Sequence, residues 1–278
     1  MQMERVIDKI ANAAENSYPH TDEYLGEDGL LHCRKCNGIL QCVVEVFGKK
    51  KTVRCACRCV TAEADKFKER QRLEQLDRVR RICFQGTNMK AWSFENDDRR
   101  NPQLSDAMKR YADNFIQFKA DGKGLLMYGD AGTGKTFYAA CIANAIIEKG
   151  QRPLMTNFAQ IVNNVQGTWE KQEYITDLCS YDLLIIDDLG IERKTDTMQE
   201  IVFNVIDTRY RSGLPMIITT NLTPQEFTKA SEIGNRRIYD RIIERCLAIE
   251  VAGGSRRREA AKTGWNDMRE QLGMEVKK

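Results

Sequence analysis

At 278 residues the chain is long enough for one or two domains and a substantial core. Its 42% hydrophobic and 30% charged residues exclude collagen-like and fully disordered chains, and apolar runs such as Leu183 to Ile186 fall far short of the roughly 18 residues needed to cross a bilayer. A net charge of +3, from 43 basic and 40 acidic residues, is too small to imply a strongly anionic partner by itself.

The opening MQMERVIDKI mixes acids and bases without an apolar h-region, so a cytoplasmic location is expected and neither a secretory signal nor a transit peptide is visible. Val6, Ile7, Ile10 and Ala14 predict a short, weakly amphipathic helix, followed by a polar loop to residue 32. Five of the ten cysteines lie between Cys33 and Cys59, around the β-rich pieces ILQCVVEVFG and KTVRC. In a cytosolic chain that density points to metal rather than disulfides, held in a small two- or three-stranded module. Cys33 and Cys36 form a C-x₂-C knuckle; Cys55, Cys57 and Cys59 compete for the other two places of a tetrahedral Zn²⁺, with His32 a more distant candidate. Cys42, Cys83, Cys141, Cys179 and Cys246 sit in or beside apolar sequence and read as small core residues.

Thr61 offers a cap for a densely charged helix over 62–81, free of glycine and proline and expected to be largely solvated. A loop, GTNMKAWSFENDDRRN, then leads into a helix of pattern LSDAMKRYADNFIQF. Beyond it, apolar runs (GLLMYG, RPLMTNF, YDLLIIDD, LPMIITTN, CLAIEVAG) alternate with helical stretches. Near-continuous apolar strands alternating with helices predict an α/β domain, a parallel sheet covered on both faces.

Gly129, Asp130, Ala131, Gly132, Thr133, Gly134, Lys135 and Thr136 fit G-x-x-x-x-G-K-[ST] in full, between the strand GLLMY and the helix TFYAACIANAIIEK. Glycines let successive N–H groups point inward at phosphate oxygens, Lys135 brings a point charge to the β- and γ-phosphates of ATP, and Thr136 offers a hydroxyl to Mg²⁺. The strand LLIIDD ends in Asp187, expected to hold Mg²⁺, and Asp188, placed to orient or deprotonate the attacking water. The strand MIITTN ends in Asn221, whose amide could position that water against the γ-phosphate. In FAQIVNNVQGTWEK, Trp169 either stacks on a DNA base with Lys171 at a phosphate or packs in the core of an amphipathic helix.

The runs GDAGTGKT, IIDDLG, TTN, RRIYDRIIERC and GGSRRREAA resemble the AAA+ P-loop ATPases of the DnaC/DnaI helicase-loader group, phage versions in particular, with IstB-type transposition ATPases as close relatives. The resemblance covers about residues 83 to 262 and extends to the upstream cysteine cluster and charged helix. It implies that Arg241 is similar to an arginine finger reaching a neighbouring subunit's ATP, that Arg257 is similar to a sensor arginine acting in cis, and that Cys57 and Cys59 complete the zinc set. It further implies a homo-oligomer that loads a replicative hexameric helicase onto single-stranded DNA. The expected organisation is an N-terminal helix and zinc module over 1–60, a linking helix over 61–82, the ATPase over 83–262 and a polar tail over 263–278. A transposition helper, or a nucleotide-switched adaptor without turnover, would share the same ATP-site residues.

Overall fold

The computed structural model describes residues 22–46, 48–190, 195–223, 225–226 and 233–274; the helix expected around Val6 to Ala14 lies outside them. The chain forms two compact units that divide between Gln75 and Leu76.

In the first unit, β1 (Glu23–Leu25) pairs antiparallel with β2 (Leu31–Cys33), and β3 (Gln41–Val46) with β4 (Lys49–Arg54). The turn between β1 and β2 is closed by Gly29, whose φ of +73° suits glycine, and by the Asp28 carboxylate accepting from the Leu30 N–H at 3.1 Å. The expected loop here is thus a hairpin; its strands are too short for alternation to reveal. Among the described residues of this unit only Cys33, Leu40 and Cys57 are fully buried, with Leu31, Cys59 and Val60 packed beside them. At roughly 1.5–3 kcal/mol per buried large apolar side chain, such a cluster cannot by itself offset the entropy of ordering the module.

Helix α1 (Arg58–Phe84) starts four residues before the position expected from Thr61. The Thr61 hydroxyl instead donates to the Arg58 carbonyl at 3.0 Å, inside the first turn. The cysteines fix this start, because Cys57 precedes the helix and Cys59 already lies in it. Leu76, Cys83 and Phe84 are its buried residues, so most of its length is solvated.

In the second unit, five strands, β5 (Gly124–Tyr128), β6 (Pro153–Asn157), β7 (Leu183–Leu189), β8 (Met216–Thr220) and β9 (Cys246–Glu250), form an all-parallel sheet in the order β6-β7-β8-β5-β9. Because side chains alternate across a strand, Leu125, Met127, Leu183, Ile185 and Ile217 enter one core, whereas Leu126, Leu184, Ile186, Met216 and Ile218 enter another. The first core is completed by α2 (Pro102–Asp113) and α4 (Lys135–Glu148), the second by α5 (Phe158–Gln166), α6 (Lys171–Leu178), α7 (Asp196–Ser212) and α8 (Ile233–Arg245). Burial on both faces is why β5, β6, β7 and β8 lack polar alternation, whereas the edge strand β9 leaves Leu247 67% exposed.

The single helix expected in LSDAMKRYADNFIQF is interrupted at Asn114, whose side chain donates to the Arg110 carbonyl at 2.9 Å, leaving α2 and a short α3 (Phe115–Ala120). Helix α9 (Arg256–Gln271) closes the unit, capped by Ser255. Among the described residues no helix is long and apolar enough to cross a membrane.

Candidate functional site

The turn 129–136 leaves the central strand β5 and enters α4 with its backbone in conformations that need glycine. Gly129 has φ +139°, and a Cβ there would lie 2.6 Å from the Val251 carbonyl; at Gly132, φ +87°, it would meet the Ser255 hydroxyl at 2.2 Å. Gly134, φ +113°, is the N-cap of α4. The segment Val251 to Ser255 therefore presses against the outside of the turn and holds its curvature.

Lys135, 5% exposed, donates from Nζ to the carbonyls of Gly129 (2.7 Å) and Asp130 (2.8 Å) and to Asn221 Oδ1 (2.8 Å). All three partners are neutral. Burial lowers the Lys135 pKa, opposed by the charges of Asp188 and Asp187 and reinforced by Arg257. A buried ammonium with only neutral acceptors is poised for an anion.

The Thr136 hydroxyl donates to Asp187 at 3.0 Å and Thr219 donates to the same carboxylate at 2.6 Å. Burial raises the Asp187 pKa, and neighbouring Asp188 adds to the rise, against the threonine bonds and Arg257. A hydroxyl and a carboxylate side by side form a hard oxygen pair that suits Mg²⁺. Asp188 occupies the left-handed region, φ +57°, where the β7–β8 register slips between Ile186 and Leu189; its N–H donates to Thr219 Oγ1 at 2.9 Å. That conformation costs about 1–2 kcal/mol for a residue with a side chain. Here it carries Asp188 to the wall of a cavity of about 540 Å³, lined also by Lys135, Thr136, Asn221 and Arg257.

The same cavity is lined by Trp92, Phe137 and Arg256, which no sequence pattern singled out. The Trp92 and Phe137 rings lie 5.8 Å apart at 46°. Trp92 is brought there by topology alone, so a motif centred on the turn carries no signal for it. Arg241 does not join this cavity within the chain: it pairs with Asp207 on α7 at 2.7 Å and stacks 4.9 Å from the Phe203 ring centroid.

The balance of charge predicts the behaviour of Asp187→Asn. A carboxyl whose folded pKa is raised contributes stability at low pH that is lost as pH rises through the folded value, so at neutral pH this carboxylate burdens the nucleotide-free fold. The variant is expected to melt about 2 °C higher than wild type at pH 7.5, corresponding to roughly 0.5–1 kcal/mol, while losing magnesium-dependent nucleotide affinity. The thermal gain should shrink on acidification; a lower melting temperature at neutral pH contradicts the charge argument.

In the first unit, the Sγ atoms of Cys33, Cys36, Cys57 and Cys59 all lie within 4.8 Å of one another, Cys57 and Cys59 at 2.9 Å and Cys33 and Cys59 at 3.6 Å. Thiolates on a tetrahedral zinc at about 2.3 Å stand roughly 3.8 Å apart, so the donor set fits that ion. Cys55 stands outside it, donating to the Ile39 carbonyl at 3.6 Å, and His32 Nε2 is engaged by Asp28 at 3.0 Å. Hydrogen bonding with Cys57, together with burial and the Cys33 and Cys36 thiols, pushes Cys59 up to about 12, whereas backbone N–H groups of Gly38 and Cys59 draw Cys36 down. Four crowded sulfurs resist ionising together unless a cation neutralises them.

Of the remaining cysteines expected in the core, Cys83, Cys141, Cys179 and Cys246 are buried, but Cys42 is exposed on β3. Trp169 is fully exposed (100%) between α5 and α6, which removes the core reading of that residue.

The family described as IstB-like ATP binding protein matches residues 61–263. The chain is 28% identical over 167 residues to the replicative helicase loader DnaI of Bacillus subtilis (strain 168), covering 54% of each protein. It is 26% identical over 155 residues to the replicative helicase loader DnaC of Escherichia coli (strain K12), covering 54% of this chain and 62% of that one. The chain thus spans between one half and two thirds of the length of these relatives. Among solved structures, the crystal structure of the DnaC helicase loader shares the fold with a TM-score of 0.53 at 23% identity, covering 60% of this chain and 100% of that one. The crystal structure of DnaI does so with a TM-score of 0.52 at 23% identity, covering 60% and 92%. With a phosphate-binding turn on the central strand, a parallel sheet covered on both faces and a family match over most of its length, the chain belongs to the IstB-like ATP binding proteins.

Proposed function

We propose that this protein is an ATPase that loads a replicative hexameric DNA helicase onto single-stranded DNA, hydrolysing ATP between subunits of a homo-oligomer. The observation that carries the reading is the convergence of Lys135, Thr136, Asp188 and Asn221 on one cavity at the phosphate turn, with Asp187 bonded to Thr136 behind it. The names of the DnaI and DnaC relatives support the helicase as partner.

In this reading Lys135 exchanges its carbonyl partners for the β- and γ-phosphate oxygens, and the backbone from Gly129 to Thr133 cradles the same groups. Thr136 and Asp187 would hold Mg²⁺, which when bound neutralises charge between the phosphates. Asp188 accepts a proton from, or orients, the attacking water, with Asn221 beside it. Arg257 contacts nucleotide from its own chain. Arg241 serves the neighbouring subunit, which requires it to exchange Asp207 for phosphate oxygens. Trp169 and Lys171 meet single-stranded DNA through base stacking and phosphate contact. The zinc-bearing residues up to 60 grip the helicase, 61–82 link them to the ATPase at 83–262, and 263–278 form a polar tail.

The test uses the full chain, a hexameric replicative helicase and circular single-stranded DNA, with DNA-bound helicase as the readout. ATP-dependent loading is expected, with at least about a tenfold loss in Cys36→Ser through release of the helicase and a smaller loss in Trp169→Ala from one lost stacking contact of roughly 1–3 kcal/mol. Binding to duplex DNA without helicase retention would replace this reading with that of a transposition helper. Undiminished loading without turnover would replace it with a nucleotide-switched adaptor.

A further inference from the structure

Beside the nucleotide cavity lies a buried polar cluster with no part in the reading above. Asp97, in the loop before α2, has a side chain only 1% exposed. It accepts from Ser105 Oγ and, at 3.3 Å, from the Tyr138 hydroxyl, and Ser105 and Tyr138 are themselves 3.1 Å apart. A carboxylate so enclosed needs a cation, since unpaired buried charge is strongly disfavoured. The cation is Arg256, at 3.6 Å from Asp97 and 3.0 Å from Asp98, with its guanidinium 5.9 Å from the centroid of the Tyr138 ring. One turn further along α9, Glu259 pairs with Arg100 of the same loop at 2.5 Å.

Arg256 also touches the phosphate turn twice. Its N–H donates to the Gly132 carbonyl at 2.9 Å, and its guanidinium stands 3.5 Å from where a Cβ of Gly134 would be. The next residue, Arg257, is exposed and lines the nucleotide cavity, and among the described residues it has no hydrogen-bond or ion-pair partner. The long, free Arg257 side chain is therefore aimed by the backbone on which the fixed Arg256 sits.

We infer that Arg256, clamped by the buried Asp97, is a positioning residue that aims Arg257 at the nucleotide. This rests on the ATPase reading. Arg256 itself holds protein carboxylates; its effect on turnover passes through Arg257.

Steady-state ATP turnover and nucleotide affinity of the full chain test it in Asp97→Asn, Arg256→Met, Arg256→Lys, Arg257→Ala and the Asp97→Asn/Arg257→Ala double variant. Displacing a catalytic contact by about 1 Å costs up to roughly 100-fold, so Asp97→Asn and Arg256→Met should each lower kcat/KM by about 10- to 100-fold, with partial recovery in Arg256→Lys. The distinguishing result is non-additivity: once Arg257 is alanine, adding Asp97→Asn should change turnover by less than about twofold. Multiplicative losses overturn the inference, as does wild-type turnover in either single latch variant. If Asp97→Asn fails to fold, Arg256→Met and its double variant with Arg257→Ala carry the same comparison. Wild-type turnover in Arg257→Ala with none in Lys135→Ala sinks this inference alone, whereas full turnover in Lys135→Ala sinks the ATPase reading beneath it.

Discussion

ATP turnover by Lys135→Ala is expected to fall at least about 100-fold, the loss seen when one preorganised electrostatic group is removed from a developing negative charge. Its Nζ already sits among three oxygens at 2.7 to 2.8 Å, held in readiness by Gly129, Asp130 and Asn221. The side chain that would meet the phosphates is thus prepaid in conformational entropy, and alanine removes both charge and orientation. Arginine should not rescue it, because a planar fork cannot satisfy a pocket shaped for a compact ammonium. Far-UV circular dichroism should match wild type, since the variant relieves a buried charge. Undiminished turnover would remove the site assignment. A second arm examines the interface: Arg241→Ala should bind nucleotide yet lose turnover, and mixing it with Asp188→Asn should restore part of the activity. Absence of rescue contradicts a guanidinium acting across subunits.

What could be read from sequence depended on the range of the signal. All five strands of the parallel sheet are visible as apolar runs, and in β5, β6, β7 and β8 burial on both faces leaves that local mark. The phosphate turn is visible because its glycines, lysine and threonine are contiguous. Asp187 and Asp188 follow from the strand that must lie beside the turn, although the left-handed backbone of Asp188 does not. Other features are long-range and leave no periodic trace. Trp92 and Asp97 reach the cavity region from upstream of β5, and Arg256 from beyond β9. The start of α1 is set by the thiol cluster rather than by a capping signal in the chain. The competition among Cys55, Cys57 and Cys59 cannot be decided by spacing, because the answer depends on where the hairpin turns each sulfur.

Arg209 is the sharpest case of a residue whose role leaves no mark in the sequence pattern, and it carries the largest expected loss of stability. In the helical stretch TMQEIVFNVIDTRYRSG nothing sets it apart, yet it is 0% exposed. Its guanidinium finds no carboxylate among its hydrogen bonds. It donates instead to four main-chain carbonyls: Cys179 at 2.7 Å, Tyr181 at 2.6 Å, Asp182 at 3.3 Å and Pro215 at 2.5 Å. These carbonyls lie where α6 ends, where the chain enters β7, and where it enters β8, so one planar fork satisfies the polar backbone at the base of two adjacent strands. Burial lowers its pKa to about 10, which still leaves it charged at neutral pH. Since the folded value is depressed, titration of this group changes stability only as pH climbs past about 10, and it should give melting near neutrality no pH dependence. Arg209→Met keeps the aliphatic volume but strips all four acceptors of their donor. Each buried unsatisfied carbonyl costs roughly 1–3 kcal/mol, and with partial relaxation the sum should reach roughly 3–5 kcal/mol, a large share of a typical domain's 5–15 kcal/mol. Thermal unfolding followed by circular dichroism should show a fall of roughly 10–15 °C. Arg209→Lys should recover only part of it, because a single ammonium has three donors and cannot span carbonyls arranged for a planar group. A loss under about 1 kcal/mol in the methionine variant would mean that water or backbone movement replaces the fork, and that the junction of α6, β7 and β8 is not held together by this side chain.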